Sequence, residues 1–214
     1  MGGNLVAAPL LLIIDPHFVP VPLLTASVAR SSLVAWRDHD ATDWRGVLHL
    51  SSGRVPGTIA AALLIGLVPG RQFAIVFEIL ILGAVALSVR APVTRRSPLI
   101  LSVTGLVTGF MATLTSVGGG LTGLVYRDSD APTLRGTVAA AGTIGGGMSL
   151  LALAAVGRLS DSALVLGALL MPSIFGVPAS SAIVRKIGVR TLRPLVLAVV
   201  AATAVSGLVR ALVS

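Results

Sequence analysis

The sequence predicts an all-α, polytopic membrane bundle built from two related halves. Three observations carry that expectation. The 214 residues are 55% hydrophobic and 11% charged, against about 25% charged in a soluble domain. Mean hydropathy is +0.97, and several apolar runs approach the 20 or so residues that cross a bilayer. Glycine clusters then interrupt those runs at corresponding places in the two halves.

The organising stretch is Thr115-Ser116-Val117-Gly118-Gly119-Gly120-Leu121, set between the apolar runs 99–114 and 133–156. Each Gly costs a helix interior about 0.5–1 kcal/mol relative to Ala. Three in succession therefore mark a break where backbone amides can turn towards an anion. The opening Met1-Gly2-Gly3-Asn4-Leu5 repeats this element in weaker form. It carries no basic region of a cleavable signal peptide. No apolar run precedes it as 99–114 precedes the second cluster, so the first repeat is expected to lack its N-terminal helix.

Between these clusters the segments follow in order. Residues 5–14 are too short to span and end at Asp15-Pro16. Pro20–Trp36 is the next candidate span, bearing Thr25, Ser27, Arg30, Ser31 and Ser32. Residues 37–43 carry dense charge and belong in water, flanked by Trp36 and Trp44 as interfacial anchors are. Residues 44–68 form a long segment that Gly53-Arg54-Val55-Pro56-Gly57 is expected to interrupt, with local unwinding beside Arg54. Residues 72–89 are apolar apart from Glu78, the only glutamate in the chain. The expected domains are a first repeat over 1–90, a basic hinge at 91–97 and a second repeat over 98–214. Spans are expected at 98–115, 133–156, 162–184 and 191–213, and small residues such as Gly142, Gly145 and Gly146 suit helices packed closely in lipid.

Further pairs keep the half-chain spacing: Thr25 near the place of Thr137, Asp43 with Asp161, Gly57 with Gly176, and Arg71 with Arg190. Duplicated halves with broken helices point to a transporter site between repeats. Lys and Arg divide almost evenly between the two faces under this segment list, which leaves the orientation open and is what a re-entrant or a miscounted segment would produce. The net charge of +8 reflects arginines at the ends of apolar runs, where anionic lipid places them, and not nucleic-acid binding.

The glycine cluster running into a small-apolar helix, the Thr-bearing segment after a loop, the aspartate-led helices at Asp43 and Asp161, and Gly57 and Gly176 before each closing helix resemble the sulfite exporter TauE/SafE family. The resemblance covers nearly the whole chain in two copies. Val125-Tyr126-Arg127 stands where that family usually has Pro-Leu. The resemblance implies a multi-pass inner-membrane permease that exports small anions such as sulfite or organosulfonates.

The candidate substrate ligands are the backbone amides at Gly118, Gly119 and Gly120 and at Gly2, Gly3 and Asn4, the hydroxyls of Thr25, Ser27, Ser116 and Thr137, and the guanidinium groups of Arg30 and Arg54. Each has a plainer reading. Glycine also serves close helix packing. Ser and Thr also bond their own helix carbonyls, and an arginine can snorkel to the interface. Arginine's fork matches oxyanions, and a cation at membrane depth needs a cavity or a partner. Glu78 is the candidate for proton coupling, or else a partner for Arg71.

His17, His39 and His49 make no metal pattern, there is no Cys, and no P-loop, H-E-x-x-H or catalytic triad is present. Neither cofactor nor enzymatic activity is expected. Expected partners are a small anion and the lipid bilayer, with a homo-oligomer left open. The alternative reading is a truncated or accessory membrane subunit without transport of its own.

Overall fold

A computed structural model describes residues 20–67 and 96–170, with helical positions between 72 and 86 and near 198–205. Among them the secondary structure is helical. Helix α1 (Val21–Arg37) leads through a short 3-10 turn (His39–Ala41) into α2 (Trp44–Leu67). Then come α3 (Pro98–Thr115), the short α4 (Gly119–Val125), α5 (Ala131–Ala155) and α6 (Asp161–Leu169). Gly2, Gly3, Asn4, Gly176 and the closing basic turn lie outside the described residues.

Helix starts follow capping chemistry. The Ser97 side chain accepts from the Ile100 amide at the head of α3, and Pro98 fills the first turn, where a missing N–H costs nothing. Asp130 caps α5 at the Thr133 amide, and Ser160 caps α6 at Ala163. Helices α2, α3 and α5 are each long and apolar enough to cross a membrane.

The expected interruption of α2 does not occur. The helix runs unbroken through Pro56. The glycines beside that proline serve packing instead: a Cβ at Gly53 would strike the Ser102 carbonyl of α3, and one at Gly57 the Leu106 carbonyl. Gly105 on α3 returns the contact against Leu50 O, so the two backbones meet at paired Gly-x-x-x-Gly faces. The continuous helix keeps both glycines on one face, and unwinding would lose that contact.

These contacts also fix direction. Along α2 and α3, Leu50 meets Gly105 and Gly57 meets Leu106 and Phe110. Along α2 and α5, Asp43 bonds Thr137, Arg54 bonds Ala141, and Arg158, just past α5, bonds Ile65. The three long helices therefore run parallel. Helix α1 runs against them, with Ser31 over Gly142 and Val28 over Gly146. One apolar core joins Val21, Leu24, Ala61, Ile65, Leu114 and Leu153. A second, near the other end, joins Leu50, Leu101, Tyr126 and Ala141.

That second cluster explains the glycine break. Leu101 opens α3 and Tyr126 follows α4, yet they share a core, so α3 and α4 form a hairpin. Its bend is Thr115–Gly118. Ser116 sits there with φ 60, left-handed, and its hydroxyl donates to Pro20 O at 2.9 Å.

Tyr126 locks the hairpin's return. It is fully buried, and its hydroxyl donates to Asp43 Oδ2 at 2.8 Å. The other Asp43 oxygen accepts from the Gly46 amide at 2.9 Å, and the Asp43 amide donates to Thr137 Oγ1 at 3.0 Å. Burial works to raise the Asp43 carboxyl, but the Gly46 amide and the Tyr126 hydroxyl hold it below the usual carboxylate range. Tyr126→Phe is expected to lower stability by about 1–2 kcal/mol, because Asp43 keeps its burial and loses a donor. The folded carboxyl titrates below its unfolded value, so this contribution is present above about pH 4 and is lost as pH falls through the folded value. Thermal unfolding of both proteins at pH 7 and below pH 4 checks this, with the gap closing in acid.

Candidate functional site

The polar interior is concentrated where α2, α3 and α5 meet. Arg54 lies on α2, 7% exposed. Its side chain passes between Gly109 of α3 and Gly145 of α5. A Cβ at Gly109 would lie 2.7 Å from Arg54 Cγ, and one at Gly145 would collide with the guanidinium itself. These absent side chains make the space the arginine occupies. Arg54 Nη1 donates to Ala141 O at 3.2 Å, while Nε has no hydrogen-bond partner. No carboxylate pairs with it among the described residues.

Two hydroxyls on the same helix share this condition. Ser51 Oγ and Thr58 Oγ1 are buried without partners. Ser51, Arg54 and Thr58 stand at i, i+3 and i+7, on one face of α2. One turn beyond Gly109 and Gly145, the Thr113 and Ser149 hydroxyls lie 2.8 Å apart, so that one donates to the other while its partner donates to its own helix carbonyl. Those two are satisfied, whereas the α2 groups are not. A buried polar group without a partner costs roughly 1–3 kcal/mol, and a charge costs more. A fold that keeps three such groups on one face has donors suited to an oxyanion.

The other candidate residues are distributed around this junction. Gly118 caps α4 and packs on Thr108 and Ala112 of α3, while an added Cβ at Gly120 would meet nothing within 4 Å. Gly119 faces Val138. Thr25 donates to its own helix carbonyl at Val21. Ser27 and the half-buried Arg30 lie on the same helix, α1. Thr137 accepts from the Asp43 amide, near the opposite end from Ser116. Glu78, within the helical residues 78–83, is 1% exposed, and neither carboxylate oxygen has a partner. Arg71, the partner considered for it, lies outside the described residues.

Sequence reasoning singled out Arg54 but missed Ser51 and Thr58. Their helical spacing from Arg54 was the available signal. Nothing local distinguishes them from hydroxyls that bond their own helix, as Ser52 does to His49 O.

Long apolar helices around a buried, uncompensated arginine define an integral membrane protein with a polar interior. The chain belongs to the sulfite exporter TauE/SafE family, whose model matches residues 1–207. No curated protein and no solved structure matches it. Membership implies a membrane permease or exporter of sulfur anions, and the family is one of transporters.

Proposed function

We propose that the protein is a multi-pass permease of the plasma membrane that carries small sulfur oxyanions, sulfite or organosulfonates, by alternating access between two repeats. The observation that carries this reading is Arg54: a buried guanidinium with an unpartnered Nε. An oxyanion entering the junction would accept from Arg54 Nε and from the Ser51 and Thr58 hydroxyls. The fork geometry of arginine favours such an anion over a spherical halide.

The bend at Ser116 and the amides of Gly118, Gly119 and Gly120 form a second element on the path, with α3 and α4 as a hairpin that enters and leaves from one side. The first glycine cluster, Gly2, Gly3 and Asn4, would supply the matching element of the other repeat. Thr25, Ser27, Arg30 and Thr137 line the route or hold its walls. Rocking of one repeat against the other would expose the junction to each side in turn.

Glu78 is the coupling group in this reading. A carboxyl buried without a partner is most cheaply carried with its proton on, and releasing that proton requires access to water. Glu78→Gln is expected to leave the protein folded and to flatten the dependence of anion flux on pH in proteoliposomes. An unchanged pH profile would remove Glu78 from the mechanism. Flux of sulfite, sulfate, a small sulfonate and chloride, measured in the same vesicles, tests the substrate class.

A further inference from the structure

The outer face of α2 differs from its inner one. Trp44 is 52% exposed, Leu48 70%, Val55 41%, Ile59 52% and Leu63 54%. They form a ridge along a helix of 24 residues, roughly 36 Å long. Along its first two turns this ridge is flanked by Arg45, His49 and Ser52, although the surface between them stays mostly apolar. Arg45, Leu48, His49 and Ser52 line an open groove of about 300 Å³. Arg45 and His49 are one turn apart, beside Trp44.

Among the described residues the Arg45 side chain has no ion-pair partner. Asp43 is turned inward to Tyr126 and Gly46. Asp38 is held by Arg37 and Arg135, each at 3.0 Å. Asp128 lies by Arg127 at 3.7 Å, Asp40 by His39, and Asp130 caps α5. Asp43 also accepts from the Arg45 amide. Each described acid around this end is therefore engaged, and none forms an ion pair with the Arg45 guanidinium.

The geometry points to a binding site for the headgroup of one anionic phospholipid, its phosphate on Arg45 and His49 and its acyl chains along Leu48, Val55 and Ile59. The occupant follows from the shape of the surface: a cationic polar end, an interfacial indole and an apolar ridge match a lipid from phosphate to chain. A free phosphate would use only the first of these. A second copy meeting the same face across a two-fold axis would set Arg45 against its own image, a repulsive arrangement.

The test uses the full chain in a neutral detergent, with retained lipid counted by native mass spectrometry. Phosphatidylglycerol and phosphatidylcholine are compared, with inorganic phosphate as competitor. Wild type is expected to prefer phosphatidylglycerol. Arg45→Gln is expected to weaken that binding about fivefold, the loss of one interfacial cation. His49→Leu should weaken it less, and Arg127→Gln not at all. Arg45 is exposed, so its variant should fold, and unfolding temperature confirms it. Equal retention of the two lipids, or full retention by folded Arg45→Gln, overturns the site. Displacement by millimolar phosphate assigns the groove to free anion and also overturns it. So does a change of oligomeric state, in place of lipid, on substituting Arg45.

Discussion

Gly57→Leu is expected to leave little folded protein. A Cβ there would strike Leu106 O and lie 3.0 Å from Leu106 C and Phe110 N, all of them backbone atoms of α3. Backbone cannot rotate aside as a side chain can, so α2 and α3 would have to separate along their whole contact. Overpacking of side chains costs about 1–3 kcal/mol, and this collision should exceed that range. The same separation would withdraw Gly109 from Arg54 and open the junction. Gly147→Ala is the matched control, because an added Cβ there meets nothing within 4 Å. It should be neutral, or stabilising by up to about 1 kcal/mol from helix propensity. Unfolding temperature and monodisperse yield in detergent report both. Equal behaviour of the two variants would mean that the close approach of α2 and α3 does not hold the bundle together.

Arg54→Met is expected to abolish transport while keeping or raising stability. Replacing a buried charge by an apolar side chain of similar volume is often neutral, or stabilising by about 1–4 kcal/mol. Methionine follows the same path between Gly109 and Gly145 and needs no partner. Flux should fall by at least about 100-fold, as when the one charged ligand of an anion is removed. Arg54→Lys separates charge from shape. A compact ammonium keeps the charge but loses the planar fork, so the account expects a folded protein with flux much reduced and discrimination against chloride weakened. A merely structural Arg54, held by its bond to Ala141 O, predicts the reverse pattern: Arg54→Met unstable, with flux falling only in proportion to folded protein.

Much of the helical order was legible in the sequence because its signals are local. Pro98–Thr115 was expected as a span and is α3 residue for residue, since Ser97-Pro98 marks its start and the glycines mark its end. The segments expected at Pro20–Trp36 and 133–156 appear within two residues as α1 and α5. What the sequence concealed was register between helices. Gly53-Arg54-Val55-Pro56-Gly57 looked like a break, because proline and glycine weaken an isolated helix. In the fold the two glycines are where α3 comes closest, and that contact keeps the helix intact. Tyr126 looked like a departure from the family's pattern. It closes the α3–α4 hairpin onto Asp43, 83 residues away, a pairing no local window contains. At the candidate site, Arg54 stood out because a charge in an apolar run is conspicuous. Ser51 and Thr58 did not, since only burial distinguishes them from ordinary helix hydroxyls.

The central claim is that this chain moves sulfur oxyanions through a junction centred on Arg54. The most direct measurement is sulfite flux down an imposed gradient in proteoliposomes, with chloride in parallel and empty vesicles as background. Wild type and Arg54→Met are reconstituted at equal density after both have been shown folded. The account predicts sulfite flux well above background in wild type, chloride flux near background, and neither in Arg54→Met. Sulfite flux in Arg54→Met equal to that of wild type would contradict it.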